Sequence, residues 1–382
     1  MSKLKNKSMI TTMQDRLVVA QIDLEAFRSN FLAVRSYVGT AVKVMAVVKG
    51  NAYGHGLLRI AQEAEKLGAA YLGVACLYEA RILRENGVKI PILLLGYTDS
   101  KGLEEAIRLD ITPTVIDTVA AKCLDRLGKI HDKQIAFHIK IDTGMHRLGL
   151  SPEDALPFIH SLREYKNIYI EGIFTHFAQS DALDATFTEK QLGVFKSFLK
   201  KLDEFSLTPP LIHTANSAAI LRFPQSHFNM VRAGKVLYGP LLADGISAPF
   251  IPKQIISVKT IIVQIRTIAR GDSVGYNRAF IARDIMKIAT IPVGYADGFR
   301  RAPRTYGEVL VSGKRCQIIG LVSMDQATID VTNVAVGVGD EVHLIGQSGG
   351  CTISVSDVAR KLGTNNYEVL TSLSERIGRV YI

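Results

Sequence analysis

The sequence lacks paired cysteines and long apolar runs. Its 382 residues contain four isolated cysteines, Cys76, Cys123, Cys316 and Cys351, and no CxxC pair. This spacing predicts free thiols, and we expect no metal site. No apolar segment approaches the length of about 18 residues that a membrane span needs, and no apolar signal region precedes Asp15. These absences predict a cytoplasmic protein without a membrane partner.

Compositional bias is also slight. With 47% hydrophobic and 21% charged residues, the chain has a globular composition, and no repeat or low-complexity linker interrupts it. A net charge of +10 is compatible with nucleic-acid binding, but the basic residues are dispersed, with one dense run at residues 1–8. An anionic small molecule or a basic surface explains the excess at least as well. We therefore expect no nucleic-acid partner.

Short apolar runs alternate with helix-like segments from about residue 44 to 235. Eight runs follow one another, at 44–48, 71–75, 91–95, 112–116, 136–141, 169–174, 211–215 and 228–232. Their hydrophobicity is continuous rather than alternating, which is typical of parallel strands buried on both faces. Eight successive strand–helix units predict an α/β fold containing a (β/α)8 barrel of the TIM type. A doubly wound open sheet is the alternative.

The pattern changes after about residue 252. β-branched runs separated by Gly- and Asp-containing turns predict a mainly β C-terminal domain. The sequence thus predicts a barrel domain over 13–251 and a β domain over 252–382. The early run 17–24 precedes the eight barrel strands and is a candidate for pairing with the β domain.

Polar side chains follow five of the eight predicted strands. Reactive groups in such barrels collect at the C-terminal ends of the strands. These ends carry Lys49, Lys140 with Asp142, His176, Asn216 with Ser217, and Arg232. Each one alone is equally compatible with a rim charge, a structural histidine or a helix cap. Together they predict one site.

The stretch KGNAYGHG, residues 49–56, follows the first barrel strand. A lysine partly removed from water is destabilised as an ammonium, so the free amine of Lys49 can condense with an aldehyde. The three glycines let the backbone approach a ligand closely, and Tyr53 offers a hydroxyl. Farther along, HIKIDTGMHRLG places His138, Lys140 and Asp142 on one strand face, which predicts an ion network or the floor of a site.

Nine motifs follow one another along nearly the whole chain, namely AVVKGNAYGHG, KIDTGMHRLG, THFA, HTANSAA, MVRAGKVLYG, VGYN, GYADGFRR, GLVSMDQ and NNYEVLTSLSERIGRVY. In this order and spacing they resemble the motifs of bacterial alanine racemases, pyridoxal 5′-phosphate (PLP) enzymes that pair an eight-stranded barrel with a C-terminal β domain. The resemblance implies a homodimer with shared active sites that interconverts L-alanine and D-alanine and supplies D-alanine for peptidoglycan.

Carried over position by position, the resemblance implies two catalytic bases. Lys49 would hold PLP through its amine and act as one base, and Tyr276 of the partner subunit would be the other. Cofactor contacts are implied for Tyr53, His176, Asn216, Ser217, Arg232, Gly234, Lys235 and Tyr367. Substrate contacts are implied for Arg147 and Met324. A role in supporting the contact residues is implied for Lys140, His213 and Asp325. Positions at the entrance of the site are implied for Asp181, Tyr295 and Arg301. Lys140 matches a lysine that is often carbamylated in the family.

Five positions depart from the common family pattern, namely Gly50, Asn51, Lys235, Asn277 and Ser323. None of them removes a catalytic side chain. A serine or broad-specificity racemase stays open, because a pocket for a methyl group rejects an added hydroxyl only weakly. A PLP-dependent decarboxylase and a PLP carrier without turnover are further alternatives. A decarboxylase does not need Tyr276 as a second base, and a carrier would lack the β domain.

Overall fold

The structure is a computed structural model that describes residues 16–239 and 246–382. Contacts divide the chain into two units. Among the described residues, the larger unit comprises residues 25–52, 56–239 and 246–254, and the smaller comprises residues 16–24, 53–55 and 255–382. The basic run at residues 1–8 lies outside the described residues. Across the described ranges, no helix is both long and apolar enough to cross a membrane.

The larger unit contains the strands of a parallel barrel. The first strand within the described residues, β1 (Val19–Ile22), belongs to the smaller unit. The barrel strands within the described residues are β2 (Lys43–Val47), β3 (Tyr71–Val74), β4 (Ile92–Leu94), β5 (Thr114–Val115), β6 (Ile135–Lys140), β7 (Ile168–Phe174), β8 (Leu211–His213) and β9 (Met230–Ala233). All eight predicted strands are confirmed. β3 and β4 are buried at every residue, as expected for strands covered on both faces.

Two junctions close the barrel. Parallel pairing runs in the orders β4-β3-β2-β9 and β5-β6-β7-β8. The two sheets join where Leu93 bridges Thr112, and again where the Arg232 amide donates to the Ala215 carbonyl at 3.0 Å. The (β/α)8 prediction is therefore confirmed, and the open-sheet alternative is wrong.

Helices alternate with the barrel strands. Their bounds are Leu24–Val38, Leu57–Lys66, Leu77–Glu85, Ser100–Arg108, Thr118–Ile130, Pro152–Ser161, Thr186–Glu204 and Ser217–Arg222. Side chains of Asp99, Asp117, Ser151 and Asn216 accept hydrogen bonds from amides of the first turn of their helices, which supplies partners for otherwise unpaired N–H groups. The segment Lys49–Tyr53, which follows the first barrel strand, forms a left-handed turn rather than an ordinary helix.

The smaller unit is mainly β, as predicted. Its further strands are β10 (Ile256–Ile261), β11 (Gln264–Ile268), β12 (Ser273–Val274), β13 (Phe280–Ile281), β14 (Met286–Ile291), β15 (Glu308–Val311), β16 (Lys314–Ile319), β17 (Ala327–Asp330), β18 (Glu341–Ser348), β19 (Cys351–Ile353) and β20 (Gly378–Tyr381). The main sheet has the order β11-β14-β17-β16-β15-β18-β10-β1-β20. Strand β1 pairs antiparallel with β10 and parallel with β20. Helices Val355–Leu362 and Asn366–Thr371 precede β20.

The short segment Tyr53–His55 is held by contacts within the smaller unit. The Tyr53 and Tyr367 ring centroids are 5.7 Å apart. The Arg379 Nε donates to the Gly54 carbonyl at 3.1 Å. Gly54 has φ +84°, and a Cβ there would lie 2.1 Å from the Leu370 carbonyl oxygen. Only glycine fits this approach without a shift of the backbone.

Replacing this glycine should destabilise the smaller unit by two effects. A Gly54→Ala side chain would be strained by the positive φ, at about 1–2 kcal/mol, and would also collide with backbone. Gly271→Ala is the matched control, since Gly271 has φ +92° with no atom within 4 Å. In urea unfolding, Gly54→Ala should lose clearly more stability than Gly271→Ala. Equal losses would mean that the close approach to Leu370 does not constrain the fold.

Candidate active site

Arg232, near the end of β9, is a buried cation whose two Nη atoms have several hydrogen-bond partners. Only 4% of the residue is exposed. Its Nη1 donates to the His213 carbonyl at 2.7 Å and lies 3.1 Å from His213 Nδ1. Its Nη2 donates to the carbonyls of Thr175 and Thr214, at 2.8 and 3.0 Å, and lies 3.2 Å from His176 Nδ1. Burial lowers the pKa of Arg232 to about 9, so the guanidinium remains charged at neutral pH.

The two histidines beside Arg232 are neutral. Burial, followed by the charge of Arg232, holds the pKa of both His176 and His213 well below the usual value. Because arginine has donors only, the Nδ1 atoms that face it act as acceptors. The predicted supporting histidines are thus brought together with Arg232.

Further cations surround this guanidinium in the larger unit. Burial, then Arg147 and Arg232, lower the pKa of the Lys49 amine. Burial lowers the pKa of Lys140 to about 8, with additional effects of Arg232, Arg147 and Lys49. Asp142 opposes this shift of Lys140. A group of cations that destabilise one another favours an anionic ligand.

Ser217 connects two backbone amides that follow β9. Its Oγ accepts from the Gly234 amide at 2.9 Å and from the Val236 amide at 3.2 Å. The adjacent Asn216 is the N-cap of Ser217–Arg222, and its Oδ1 accepts from the Ser180 hydroxyl at 2.8 Å. Burial lowers the pKa of Lys235, and the exposed Asp181 opposes that shift. These predicted cofactor positions therefore lie together.

Two of the positions that depart from the family pattern, Gly50 and Asn51, lie in the left-handed turn after Lys49. Gly50, Asn51 and Ala52 have φ values of +64°, +54° and +52°. Glycine has no Cβ to clash there, and asparagine adopts this conformation more readily than most residues. Asn277, beside Tyr276, is a third departure with φ +58°. In this chain, Gly50, Asn51 and Asn277 are residue types suited to positive φ.

Glu79 is a site residue that the sequence interpretation missed. It is buried, and its carboxylate accepts from the Gly50 amide at 2.5 Å and from the Ala75 amide at 2.8 Å. Asn51 also stabilises the segment after Lys49, because its Oδ1 accepts from the Leu57 amide at 2.7 Å. The one sequence signal for Glu79 was its position in the first turn of the helix that follows β3.

A second set of predicted residues lies in the smaller unit. Tyr276 is 62% exposed, and the Arg301 guanidinium lies 5.5 Å from the centroid of its ring. Both residues line an open pocket of about 360 Å³ together with Tyr295. Nearby, the Ala296 amide donates to the Met324 carbonyl at 3.1 Å. Tyr295 and Arg301, the predicted entrance residues, thus lie beside Tyr276, the predicted base.

Asp325 anchors the turn that carries Met324. Its carboxylate accepts from the Arg376 guanidinium at 2.6 Å. The Tyr295 amide donates to the Ser323 carbonyl at 3.0 Å, which joins the two predicted turns. The candidate site residues therefore form two sets, one in each unit.

Comparison with known proteins identifies the family. The pattern of the alanine racemase N-terminal domain matches residues 22–241, and that of the alanine racemase C-terminal domain matches residues 255–381. The chain belongs to the alanine racemase family. Members of this family are PLP-dependent isomerases, and the predicted family, enzyme class and cofactor are confirmed.

Individual family members match along almost their whole length. The alanine racemase of Methanococcus maripaludis is 39% identical over 366 residues, which cover 95% of this chain and 98% of that protein. The crystal structure of alanine racemase from Bacillus anthracis with bound L-Ala-P has a TM-score of 0.91 and 36% identity, covering 97% and 96% of the two chains. Histidine racemase from Leuconostoc mesenteroides has a TM-score of 0.88 and 28% identity, covering 97% and 99%.

The residues of the larger unit fit PLP chemically. PLP carries an aldehyde, a phosphate and a ring nitrogen, and each has a matching group here. Lys49 has an amine whose lowered pKa favours the free base. The neighbouring cations suit a phosphate or carboxylate, and Arg232 supplies donors that keep their protons.

The lowered pKa of Lys49 predicts how cofactor uptake depends on pH. Only the free amine attacks an aldehyde, so the rate falls as pH drops through the pKa of the lysine. Uptake of PLP by the apoprotein should level off at a lower pH than the same reaction with N-acetyl-lysine, whose amine has the ordinary pKa of about 10.4. Stopped-flow absorbance measures both rates. Identical pH profiles would contradict an activated Lys49.

Proposed function

We propose that this chain interconverts L-alanine and D-alanine with two bases, Lys49 and Tyr276 of the partner subunit. The observation that carries the proposal is the pKa-lowered amine of Lys49 beside the cations Lys140, Arg147 and Arg232. The site thus combines an amine that can attack an aldehyde with positive charge that favours anions. The proposal assigns PLP to the 13–251 domain and the opposing base to the 252–382 domain, with the run 17–24 joining the latter.

Holding PLP and the amino acid is the first task of the chain. When bound, PLP delocalises the electron pair left by loss of the Cα proton. Lys49 would hold the aldehyde carbon, and Arg147 and Met324 of the partner subunit would hold the substrate carboxylate. Contacts to the phosphate would come from Tyr53, Asn216, Ser217, Gly234, Lys235 and Tyr367. The amides of Gly234 and Val236 donate to the Ser217 hydroxyl oxygen and thereby fix its position.

Arg232 would control the ring nitrogen. A guanidinium donates a hydrogen bond there without giving up its proton, because its pKa remains far above that of the ring. Arg232 would thereby leave the ring nitrogen unprotonated, so that the ring would withdraw electrons less strongly and return of the proton to Cα would be favoured over transfer of the amino group. His176 and His213 support this role by holding the guanidinium.

The two bases have separate assignments. Lys49 would remove or return the Cα proton on one face, and Tyr276 of the partner subunit would act on the opposite face. The 62% exposure of Tyr276 supports this, since an exposed residue is accessible to a second copy of the chain. Tyr295, Arg301 and Asp181 would narrow the entrance, with Asp325 and a carbamylated Lys140 in support.

Substrate breadth has a second candidate. The likeness to histidine racemase, over 97% of this chain, supports a broad-specificity racemase as the second candidate. Serine belongs to the same candidate, because a pocket for a methyl group rejects an added hydroxyl only weakly. Racemisation rates with alanine, serine and histidine decide between the two. The match to both alanine racemase domains argues against the decarboxylase and carrier alternatives. Supply of D-alanine for peptidoglycan in the cytoplasm completes the proposal, and the four free cysteines support a reducing compartment.

Mixing two inactive variants tests the shared site. Lys49→Ala and Tyr276→Phe should each abolish most racemisation, because each homodimer lacks the same base in both sites. Co-refolded mixtures contain mixed dimers with one intact site, so about one quarter of the wild-type activity should return under random pairing. Chiral chromatography of the alanine measures it.

The control mixture combines Lys49→Ala with the double variant Lys49→Ala/Tyr276→Phe. No dimer in that mixture contains Lys49, so no activity should return. Failure of the first mixture to regain activity, with both variants folded, would reject the shared-site arrangement.

A further inference from the structure

A hydrogen-bonded line of side chains runs through the interior of the larger unit from Glu171 to Arg232. Glu171 Oε2 lies 3.3 Å from His138 Nε2. His138 Nδ1 lies 2.9 Å from His213 Nε2, and His213 Nδ1 lies 3.1 Å from Arg232 Nη1. The four residues come from β7, β6, β8 and β9. Both histidines are fully buried, whereas the Glu171 side chain is 21% exposed.

The protons along this line have one arrangement. Arg232 has donors only, so His213 Nδ1 accepts and the His213 proton is on Nε2. That proton is donated to His138 Nδ1, which leaves the His138 proton on Nε2, facing the Glu171 carboxylate. All three hydrogen bonds therefore run from the guanidinium to the carboxylate, through two neutral imidazoles. Burial lowers the pKa of both histidines, which agrees with their neutral state.

Packing holds the two imidazole rings in this orientation. The His213 ring stacks on Phe174, with centroids 4.7 Å apart and an interplanar angle of 9°. Gly172 lies against the His138 ring, and a Cβ at that position would be 2.5 Å from its Nδ1. The pairing of His138 with Glu171 thus depends on a glycine in the neighbouring strand.

We propose that Glu171 is a positioning residue for Arg232, acting through His138 and His213. Its negative charge favours the charged guanidinium, and the line fixes the tautomer of His213 that accepts from Arg232. Chains of hydrogen bonds in a low-dielectric interior polarise one another, which allows the effect to extend across two rings. The consequence for racemisation rests on the proposed function, but the proton arrangement does not.

Other charged and titratable groups face the two ends of the line. Four groups shift the pKa of Glu171 or have their own pKa shifted by it, namely His138, Tyr71, Tyr169 and Lys43. Tyr71 is a second hydrogen-bond partner of the carboxylate. Arg232 is faced by His213, His176, Lys140 and Lys49. Among these groups, Glu171 is the carboxylate that reaches Arg232 through hydrogen bonds.

Glu171→Gln tests the role of this charge, because glutamine keeps the shape and one acceptor oxygen. Glu105→Gln is the matched control, since Glu105 is a similarly accessible carboxylate of the same unit that pairs with Arg81. Long-range ¹H–¹⁵N spectra of histidine-labelled protein report the tautomers without any need for activity. The wild-type His138 and His213 should both be neutral Nε2–H tautomers from about pH 6 to about pH 9. Their signals should shift in Glu171→Gln and not in Glu105→Gln.

The kinetic arm measures kcat/KM against pH. Without the carboxylate charge, the charged form of Arg232 is less favoured. The alkaline limb of the Glu171→Gln profile should therefore move down by about one pH unit, and Glu171→Asp should restore part of the shift. Protonated or Nδ1–H imidazoles in the wild type, or a Glu171→Gln profile identical to that of Glu105→Gln, would overturn the inference. A wild-type protein without racemisation would instead reject the proposed function, and the histidine spectra would still decide the proton arrangement.

Discussion

Burial of the Arg232 guanidinium is the constraint on which the barrel site depends. An unpaired charge inside a protein costs several kcal/mol, so the surrounding backbone has to supply acceptors. Three carbonyls supply them, from His213, Thr214 and Thr175, which lie at or directly after the ends of β8 and β7. Burial is the largest cause of the lowered pKa of His176, His213, Lys49 and Lys140, and the charge of Arg232 lowers each of them further. One buried cation thus contributes to the chemistry of all these strand ends.

The turn after Lys49 meets a second constraint, the left-handed conformation of several successive residues. Such a turn is unfavourable for most side chains, and here Gly50 and Asn51 reduce the strain while Glu79 binds the amides. The carboxylate of Glu79 also raises the pKa of the Lys49 amine, against the larger lowering effect of burial and the cations. Backbone conformation and amine reactivity are therefore set by the same small group of residues.

Much of the fold could be read from the sequence because buried parallel strands have continuous apolar runs, and all eight such runs became barrel strands. Lys49, Lys140 and Arg232 were found for a related reason, since each lies near the C-terminal end of a strand. Glu79 and Glu171 were not, because a single glutamate in a helix or strand has the pattern of a solvated residue. Their partners, Gly50 and His138, are 29 and 33 residues away, and only the folded chain brings them together. The positive φ values that suit Gly50, Asn51 and Asn277 have no periodicity to reveal them.

The central claim is that the cation-rich end of the barrel directs PLP to Lys49. Lys140 is the internal competitor, because its pKa is also lowered, to about 8, and it belongs to the same group of cations. The most direct measurement is borohydride reduction of the purified protein loaded with PLP, followed by peptide mass spectrometry. The account predicts one stable adduct, on the peptide that contains Lys49. An adduct on the Lys140 peptide, or none on the Lys49 peptide of a fully loaded protein, would contradict it.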